Sequence, residues 1–323
     1  MITKRINLGL MGLGNIGSGV YKVLDLNRKH IEQTTGLDLR ITKILEIDQN
    51  RDRGFTVEPG VFTLAPEEIF SDPGIDIVIE LLGGTEPATA YMLEAMKAGK
   101  SVVTANKAAL AENYGLLTET AFKNGVKLRF EASVGGGIPL IGAIKDHLCA
   151  NEFTEMLGIL NGTTNYILTK MSEEGYSYED ALAEAQKLGF AEPDPTSDVE
   201  GHDVANKLSI LMSLAFGKRV RPDEIPTRGI SQITKDDIEE AEAEGCVIKL
   251  LASAFRSENG VECFIQPTFL NKTHPLADVR NEFNALFIKG NAVDELMLYG
   301  KGAGPYPTAS AVLGDVVAIA KDL

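Results

Sequence analysis

"GLGNIG", Gly12 to Gly17, follows the apolar run "INLGLM" (Ile6 to Met11) and opens the helical pattern "GSGVYKVLDLNRKHIEQ" (Gly17 to Gln33). The G-x-G-x-x-G spacing alone is weak, because a structural glycine turn also produces it. Between a strand and a helix it has a physical meaning. Gly12 permits a tight turn, Gly14 lets a pyrophosphate approach the main chain, and Gly17 lets helix and strand pack closely. The helix N-terminus, at Asn15 and Ile16, then presents unpaired N–H groups to the phosphates.

The surrounding chain alternates in the same manner. "LRITKILEID" (Leu39 to Asp48), "IDIVIELLGG" (Ile75 to Gly84), "SVVTANK" (Ser101 to Lys107) and "VKLRFEASV" (Val126 to Val134) read as strands, with the helix "PATAYMLEAMKAG" (Pro87 to Gly99) among them. Strands apolar at nearly every residue belong to a parallel sheet covered on both faces. The expected fold is α/β, a Rossmann-type doubly wound sheet. After "GGGIPL" (Gly135 to Leu140) longer helices and half-polar strands such as "VECFIQPTFL" take over, indicating a second, α+β domain. The boundaries expected are 1–134 for the nucleotide-binding domain, completed by a C-terminal helix over 303–323, and 135–302 for the second domain.

Length and composition bound the rest. The chain has 323 residues, enough for roughly two domains, with 44% hydrophobic and 24% charged residues, as in ordinary globular proteins. A formal net charge of −15 argues against nucleic acid and anionic membranes as partners. No apolar run approaches the ~18 residues of a membrane span, and the N-terminus reads as a first strand rather than a signal peptide. Cys149, Cys246 and Cys263 form no C-x-x-C pair, which fits a reducing, cytoplasmic compartment with thiols as small core residues. The histidines show no metal spacing, so zinc is not expected.

At the end of the second strand, Glu46 and Asp48 are placed to hydrogen-bond ribose hydroxyls, as for NAD, while Arg51 and Arg53 could meet a 2′-phosphate. The reading leans to NAD. "AGKS" (Ala98 to Ser101) is not a P-loop tail, because the required first glycine falls on Glu94. Asn106 and Lys107 lie at the carboxyl edge of the sheet, where ligands of open α/β sheets bind.

"FAEPDPTSDVEGHDVANKL" (Phe190 to Leu208) holds five carboxylates, Glu192, Asp194, Asp198, Glu200 and Asp203, and one lysine, Lys207. A helix starting near Asp198 or Glu200 puts Asp203 and Lys207 four apart on one face. The ordinary alternative is a surface ion pair worth ~0.3–0.5 kcal/mol. The following "VANKLSILMSLAF" is strongly apolar, however, and a lysine on a buried helix needs a reason. The functional reading gives Lys207 a proton to move during hydride exchange, with the carboxylates holding a cationic group of the substrate.

"GLGNIGSGV", "VVTANKAAL", "FEASVGGGIPLI", "LNGTTNYIL", "GFAEPDPTSDVEGHDVANKLSIL" and "GAGPYPTASAVLGD" occur in this order and resemble the homoserine dehydrogenase family over nearly the whole chain. The resemblance implies interconversion of L-homoserine and L-aspartate 4-semialdehyde with NAD or NADP, on the branch to threonine and methionine. It implies a homodimer built through the second, substrate-binding domain. Carried onto this chain, the proton donor is Lys207. The substrate contacts are Glu192, Asp203 and Asp198, with Thr163 and Thr164 near the site and Lys107 beside both substrate and nicotinamide. Thr85 and Gly304 join the cofactor contacts. A monovalent cation, sodium in most members, is implied at the Glu131 carboxylate and the carbonyls of Val134, Gly136 and Ile138.

Two departures bear on specificity. Ile47 stands where many members carry an arginine for a 2′-phosphate, and the expected form is the short one, without the C-terminal regulatory module. The rival readings are another amino-acid dehydrogenase, such as one for L-aspartate, and a non-catalytic nucleotide sensor. The first has no need of the NGTTNYIL and EPDPTSD blocks; the second tends to lose the lysines retained here. Oxidising homoserine needs a neutral amine, whereas reducing the semialdehyde needs a protonated one, so an alkaline optimum is expected for oxidation.

Overall fold

The computed structural model describes residues 3–323. The chain forms two units: residues up to Gly137 with Gly304–Leu323, and Ile138–Ala303. The chain passes to the second unit after Gly137 rather than Val134.

The first unit is built on six parallel strands: β1 (Lys4–Met11), β2 (Leu37–Leu45), β3 (Phe62–Thr63), β4 (Ile77–Glu80), β5 (Ser101–Thr104) and β6 (Leu128–Arg129). Their order is β3-β2-β1-β4-β5-β6, so successive connections leave β1 in opposite directions and open a crevice beyond the carboxyl ends of β1 and β4. Every residue of β4 and β5 is buried, which is why both read as continuous apolar runs. The helices are α1 (Asn15–Thr35), α2 (Glu67–Phe70), α3 (Ala88–Lys97), α4 (Lys107–Lys123) and a C-terminal helix (Pro305–Asp322). Leu8, Leu10, Ile77, Ile79 and Val103 of the sheet share one core with Val20 and Leu24 of α1 and Val312 and Val316 of the C-terminal helix. Each such burial contributes about 1.5–3 kcal/mol before conformational entropy is counted. Gly19 sets how closely α1 meets the C-terminal helix: a Cβ there would stand 2.6 Å from the Pro305 carbonyl oxygen.

The strand expected over Val126 to Val134 is shorter than its apolar pattern suggests. β6 stops at Arg129, and residues Glu131–Ser133 form a 3₁₀ turn. The Glu131 N–H donates to the Asp315 carboxylate at 2.7 Å, and Ser133 donates through both N–H and hydroxyl to the Phe130 carbonyl. These bonds take the main chain out of the ladder.

The second unit carries an antiparallel sheet in the order β11-β10-β7-β8-β9, made of β7 (Phe153–Ile159), β8 (Cys246–Ser257), β9 (Gly260–Asn271), β10 (Phe283–Gly290) and β11 (Asp294–Lys301). Its helices are α5 (Leu140–Gly142), running into a π turn at Ala143–His147, then α6 (Gly162–Glu174), α7 (Tyr178–Lys187), α8 (Thr196–Val199), α9 (His202–Ala215) and α10 (Lys235–Ala243). α10 begins in a capping box between Thr234 and Asp237 and buries Ile238 and Ala241, leaving its acids outward.

The thiols are not core residues. Cys149 is exposed, and Cys246 and Cys263 are half-buried. Cys149 follows the π turn, Cys246 starts β8, and Cys263 lies on β9, the last strand of the sheet order beside β8. Among the described residues, no helix is long and apolar enough to cross a membrane, and no group of His, Cys, Asp and Glu is placed to hold a metal ion.

Candidate active site

The glycine fingerprint sits between β1 and α1, and its three glycines have three different surroundings. Gly12 has φ +92°, and a Cβ on it would lie 2.8 Å from the Leu81 carbonyl oxygen. A Cβ on Gly17 would lie 2.1 Å from the Gly12 carbonyl oxygen. Around Gly14 nothing stands within 4 Å. Gly14 is also the N-cap of α1 and supplies no side-chain cap, so the first-turn N–H groups from Asn15 and Ile16 onward face open space fit for a phosphate.

Glu46 lies one residue past β2. Its carboxylate accepts from the N–H groups of Leu13 (2.8 Å) and Asp48 (3.0 Å), which ties the strand end to the fingerprint. Arg53 is not a cation awaiting a 2′-phosphate. Its guanidinium donates to the carbonyls of Leu13 (2.8 Å), Asp48 (2.7 Å) and Arg51 (2.9 Å) and meets Glu46 at 3.4 Å, with its side chain 5% exposed. Each of its three nitrogens bonds a main-chain oxygen, so Arg53 braces the loop. Arg51 and Asp48 are exposed, and Ile47 is 90% exposed.

At the ends of β4 and β5 the structure adds a residue that the sequence did not single out. Glu80 is fully buried and accepts from Thr104 Oγ1 (2.6 Å), the Leu82 N–H (2.7 Å) and Asn106 Nδ2 (3.4 Å). Burial pushes its carboxyl pKa up, against the pull of these donors. Asn106 also donates to the Gly84 carbonyl at 2.7 Å and caps α4 by accepting from the Ala109 N–H at 3.1 Å. Glu80 and Asn106 thereby set both the Gly83–Gly84–Thr85 turn and the start of α4, whose first residue is Lys107. The Thr85 carbonyl accepts from Thr89.

Beyond the 3₁₀ turn that holds Glu131, Val134 is extended, while Gly135 and Gly136 take φ +75° and +56°. The Ile138 carbonyl accepts from the Leu140 N–H at 2.8 Å. Gly304, with φ +115°, caps the C-terminal helix.

In the second unit the acidic stretch and the NGTT segment come together. Gly201, at φ +84°, separates α8 from α9, so Asp203 and Lys207 occupy the first two turns of α9 rather than a helix begun at Asp198. Lys207 Nζ donates to Asp203 Oδ2 at 2.7 Å and to the Leu160 carbonyl at 2.6 Å. The two side chains are 11% and 9% exposed, which rules out the surface ion pair. An ammonium has three donors, so one N–H of Lys207 remains beyond these two acceptors. Asn161, the N-cap of α6, donates through one nitrogen to Asp198 (2.7 Å) and Asp203 (2.9 Å). Thr163 Oγ1 donates to the Phe190 carbonyl (2.7 Å) and to Asp198 (3.3 Å). Burial raises the Asp198 pKa, the Asn161 bond opposes this, and nearby Asp203 adds to the rise. Thr164 is buried, its N–H held by Asn161. Glu192 is exposed; its carbonyl accepts from Gln186, and its carboxylate has no partner among the described residues. Asn161, central to this network, was visible in the sequence only inside the LNGTTNYIL block.

Residues 12–131 match the family described as homoserine dehydrogenase, NAD binding domain, and residues 139–317 match homoserine dehydrogenase. The chain belongs to the homoserine dehydrogenase family. It is 44% identical to the homoserine dehydrogenase of Bacillus subtilis over 99% of this chain and 74% of that protein. It is 42% identical to the Lactococcus lactis homoserine dehydrogenase over 98% and 74%. The crystal structure of a homoserine dehydrogenase from Thiobacillus denitrificans superposes with a TM-score of 0.93 at 42% identity, covering 99% of this chain and 74% of that one. A hyperthermophilic archaeal homoserine dehydrogenase in complex with NADPH superposes with a TM-score of 0.83 at 25% identity, covering 99% and 98%. As a homoserine dehydrogenase, the chain is an NAD(P)-dependent oxidoreductase acting on homoserine, an activity of amino-acid biosynthesis. The L-aspartate dehydrogenase and sensor readings are not favoured.

Proposed function

We propose that the chain interconverts L-homoserine and L-aspartate 4-semialdehyde with Lys207 moving the proton at the substrate oxygen. The observation that carries this reading is the buried Lys207, fixed by Asp203 and the Leu160 carbonyl with one N–H left over. When bound, the nicotinamide supplies or takes up the hydride. Lys207 Nζ donates a proton to the aldehyde oxygen in reduction and accepts the hydroxyl proton in oxidation. Asp203 and Asn161 hold the amine in one rotamer, and Lys107 contacts both substrate and cofactor. Glu192, with Asp203, Asp198 and Thr163, binds the polar end of the substrate; an exposed carboxylate without a partner suits the α-ammonium.

Gly12, Gly14, Asn15, Ile16 and Gly17 hold the pyrophosphate, Glu46 and Asp48 the ribose, and Thr85 and Gly304 the remainder of the cofactor. The open space at Gly14 supports this fit. NAD is the better cofactor, because Arg53 is committed to main-chain oxygens and Ile47 brings no charge. A monovalent cation, sodium, is held by the Glu131 carboxylate and the carbonyls of Val134, Gly136 and Ile138, an oxygen-only donor set suited to a hard ion. The enzyme works in the cytoplasm as a homodimer joined through the second unit.

The test is absorbance at the reduced-nicotinamide band with L-homoserine, run separately with NAD and NADP on wild type and Lys207→Ala. Turnover should fall by ~10²–10⁴ in the variant with cofactor binding intact. Undiminished turnover would remove Lys207 from the mechanism.

A further inference from the structure

The second unit holds a buried cation that catalysis leaves unused. Lys249 of β8 is 4% exposed, and its Nζ donates to Asn165 Oδ1 at 3.0 Å and to the Val279 carbonyl at 2.5 Å. Both acceptors are neutral. Among the described residues no carboxylate lies within ion-pair distance, and an ammonium has a third N–H to place.

Lys249 lies in the wall of a cleft of about 470 Å³, within the usual size of small-molecule sites. Five other charged residues line it: Glu173, Glu242, Lys272, Asp278 and Arg280. Three of them are acids and two are bases, with Arg280 shared between two of the acids. Arg280 meets Glu173 at 2.8 Å and Asp278 at 3.7 Å, and Lys272 meets Glu242 at 3.6 Å. Ser172 of α6 is in the same wall, and its hydroxyl has no partner among the described residues. The cleft therefore presents a deep ammonium that no carboxylate touches, beside an unused hydroxyl, beneath a rim with one acid in excess.

We propose that this cleft binds a small carboxylate, whose oxygens take the third N–H of Lys249 and the hydroxyl of Ser172. A monoanion is favoured over a dianion because one ammonium lacks a carboxylate in contact, and the excess acid among Glu173, Glu242 and Asp278 would repel a second negative charge. The titration of Lys249 supports the assignment. Burial lowers its pKa to about 8, with Glu173 pulling back, Arg280 adding to the fall and Asp278 opposing it. Glu242 of α10, the Cys246 thiol at the start of β8 and Lys272 after β9 also face the cleft. A carboxylate favours the ammonium form, so binding weakens as pH rises through about 8. The carboxylate could belong to a simple organic acid or to an amino-acid zwitterion, whose ammonium would find the rim acids.

The experiment is thermal unfolding of the full chain against rising acetate, glycine or inorganic phosphate, with chloride at matched ionic strength as control. A saturable rise in Tm with acetate or glycine, weaker above pH ~8, is expected. Apparent affinity should fall about tenfold or more in Lys249→Met, the loss of one charge-assisted hydrogen bond. Ser172→Phe fills the cleft without touching the buried charge, so it serves if Lys249→Met fails to fold, and it should abolish the rise. Acetate acting alone indicates an organic acid, and glycine acting more strongly indicates a zwitterion. No rise beyond chloride, an equal rise in either variant, or a stronger response to phosphate would overturn the assignment.

Discussion

Lys207 and Asp203 meet at 2.7 Å one turn apart on α9, and neither side chain is more than 11% exposed. Removing one partner of a buried pair leaves the other charge uncompensated, at about 3–5 kcal/mol. Asp203→Asn keeps the shape and removes the charge. If two-thirds or more of that loss falls on the transition state, kcat/KM drops by ~10²–10³. Steady-state kinetics beside thermal unfolding will tell. A variant with wild-type kcat/KM would mean that Asp203 neither holds the amine nor touches the substrate.

The i, i+4 spacing of this pair made it legible in the sequence, because one helix period and an apolar context suffice to predict a buried contact. Much of the first unit was legible for a similar reason: strands buried on both faces leave unbroken apolar runs. What escaped was tertiary. β6 was overread because the bond that ends it joins Glu131 to Asp315, 184 residues along the chain. Arg53 was a phosphate candidate because its partners are main-chain carbonyls, which no residue pattern displays. Glu80 and Asn161 are single polar residues at element ends, a common feature. Their importance comes from partners in other segments: Thr104 and Asn106 for one, Asp198 and Asp203 for the other.

Glu80 yields a pH prediction. Its folded pKa is raised above the ordinary 4.5, first by burial. A raised carboxyl pKa gives stability that is fully present below the unfolded value and is lost as pH rises through the folded one. Glu80→Gln, which can still accept from Leu82 and pair with Thr104, escapes that loss. The Tm of the variant relative to wild type should therefore increase from acid toward neutral pH, and the two should converge near pH 4.5. A constant difference across the range would show that Glu80 does not titrate in this window. Because Asn106 caps the helix that begins at Lys107, Glu80→Ala should in addition raise KM for the cofactor.

Two alanine substitutions in the fingerprint should behave oppositely. At Gly17 the new Cβ would lie 2.1 Å from the Gly12 carbonyl oxygen, so helix and strand must part. Gly17→Ala is expected to destabilise the fold by roughly 2–3 kcal/mol or more. Gly14 has φ −73° and nothing within 4 Å, so Gly14→Ala should leave stability within about 0.5 kcal/mol of wild type. Its methyl group would instead fill the space the pyrophosphate needs. Denaturant unfolding paired with cofactor titration separates the two. Equal cofactor affinity in Gly14→Ala and wild type would count against a phosphate at this loop.

Ile47 is 90% exposed beside Glu46, whose carboxylate is already bonded to the Leu13 N–H. An arginine at 47 would meet no packing constraint, so Ile47→Arg should change stability by no more than about 0.5 kcal/mol. It would place a fresh guanidinium at the end of β2, where Arg53 has none to offer. Charge-assisted bonds to a 2′-phosphate should raise the NADP-to-NAD ratio of kcat/KM by roughly 10- to 100-fold. The gain should come from a lower KM for NADP, since the substitution is remote from the proton that Lys207 moves. An unchanged ratio would mean that the 2′ position is read elsewhere, with exposed Arg51 as the next residue to replace.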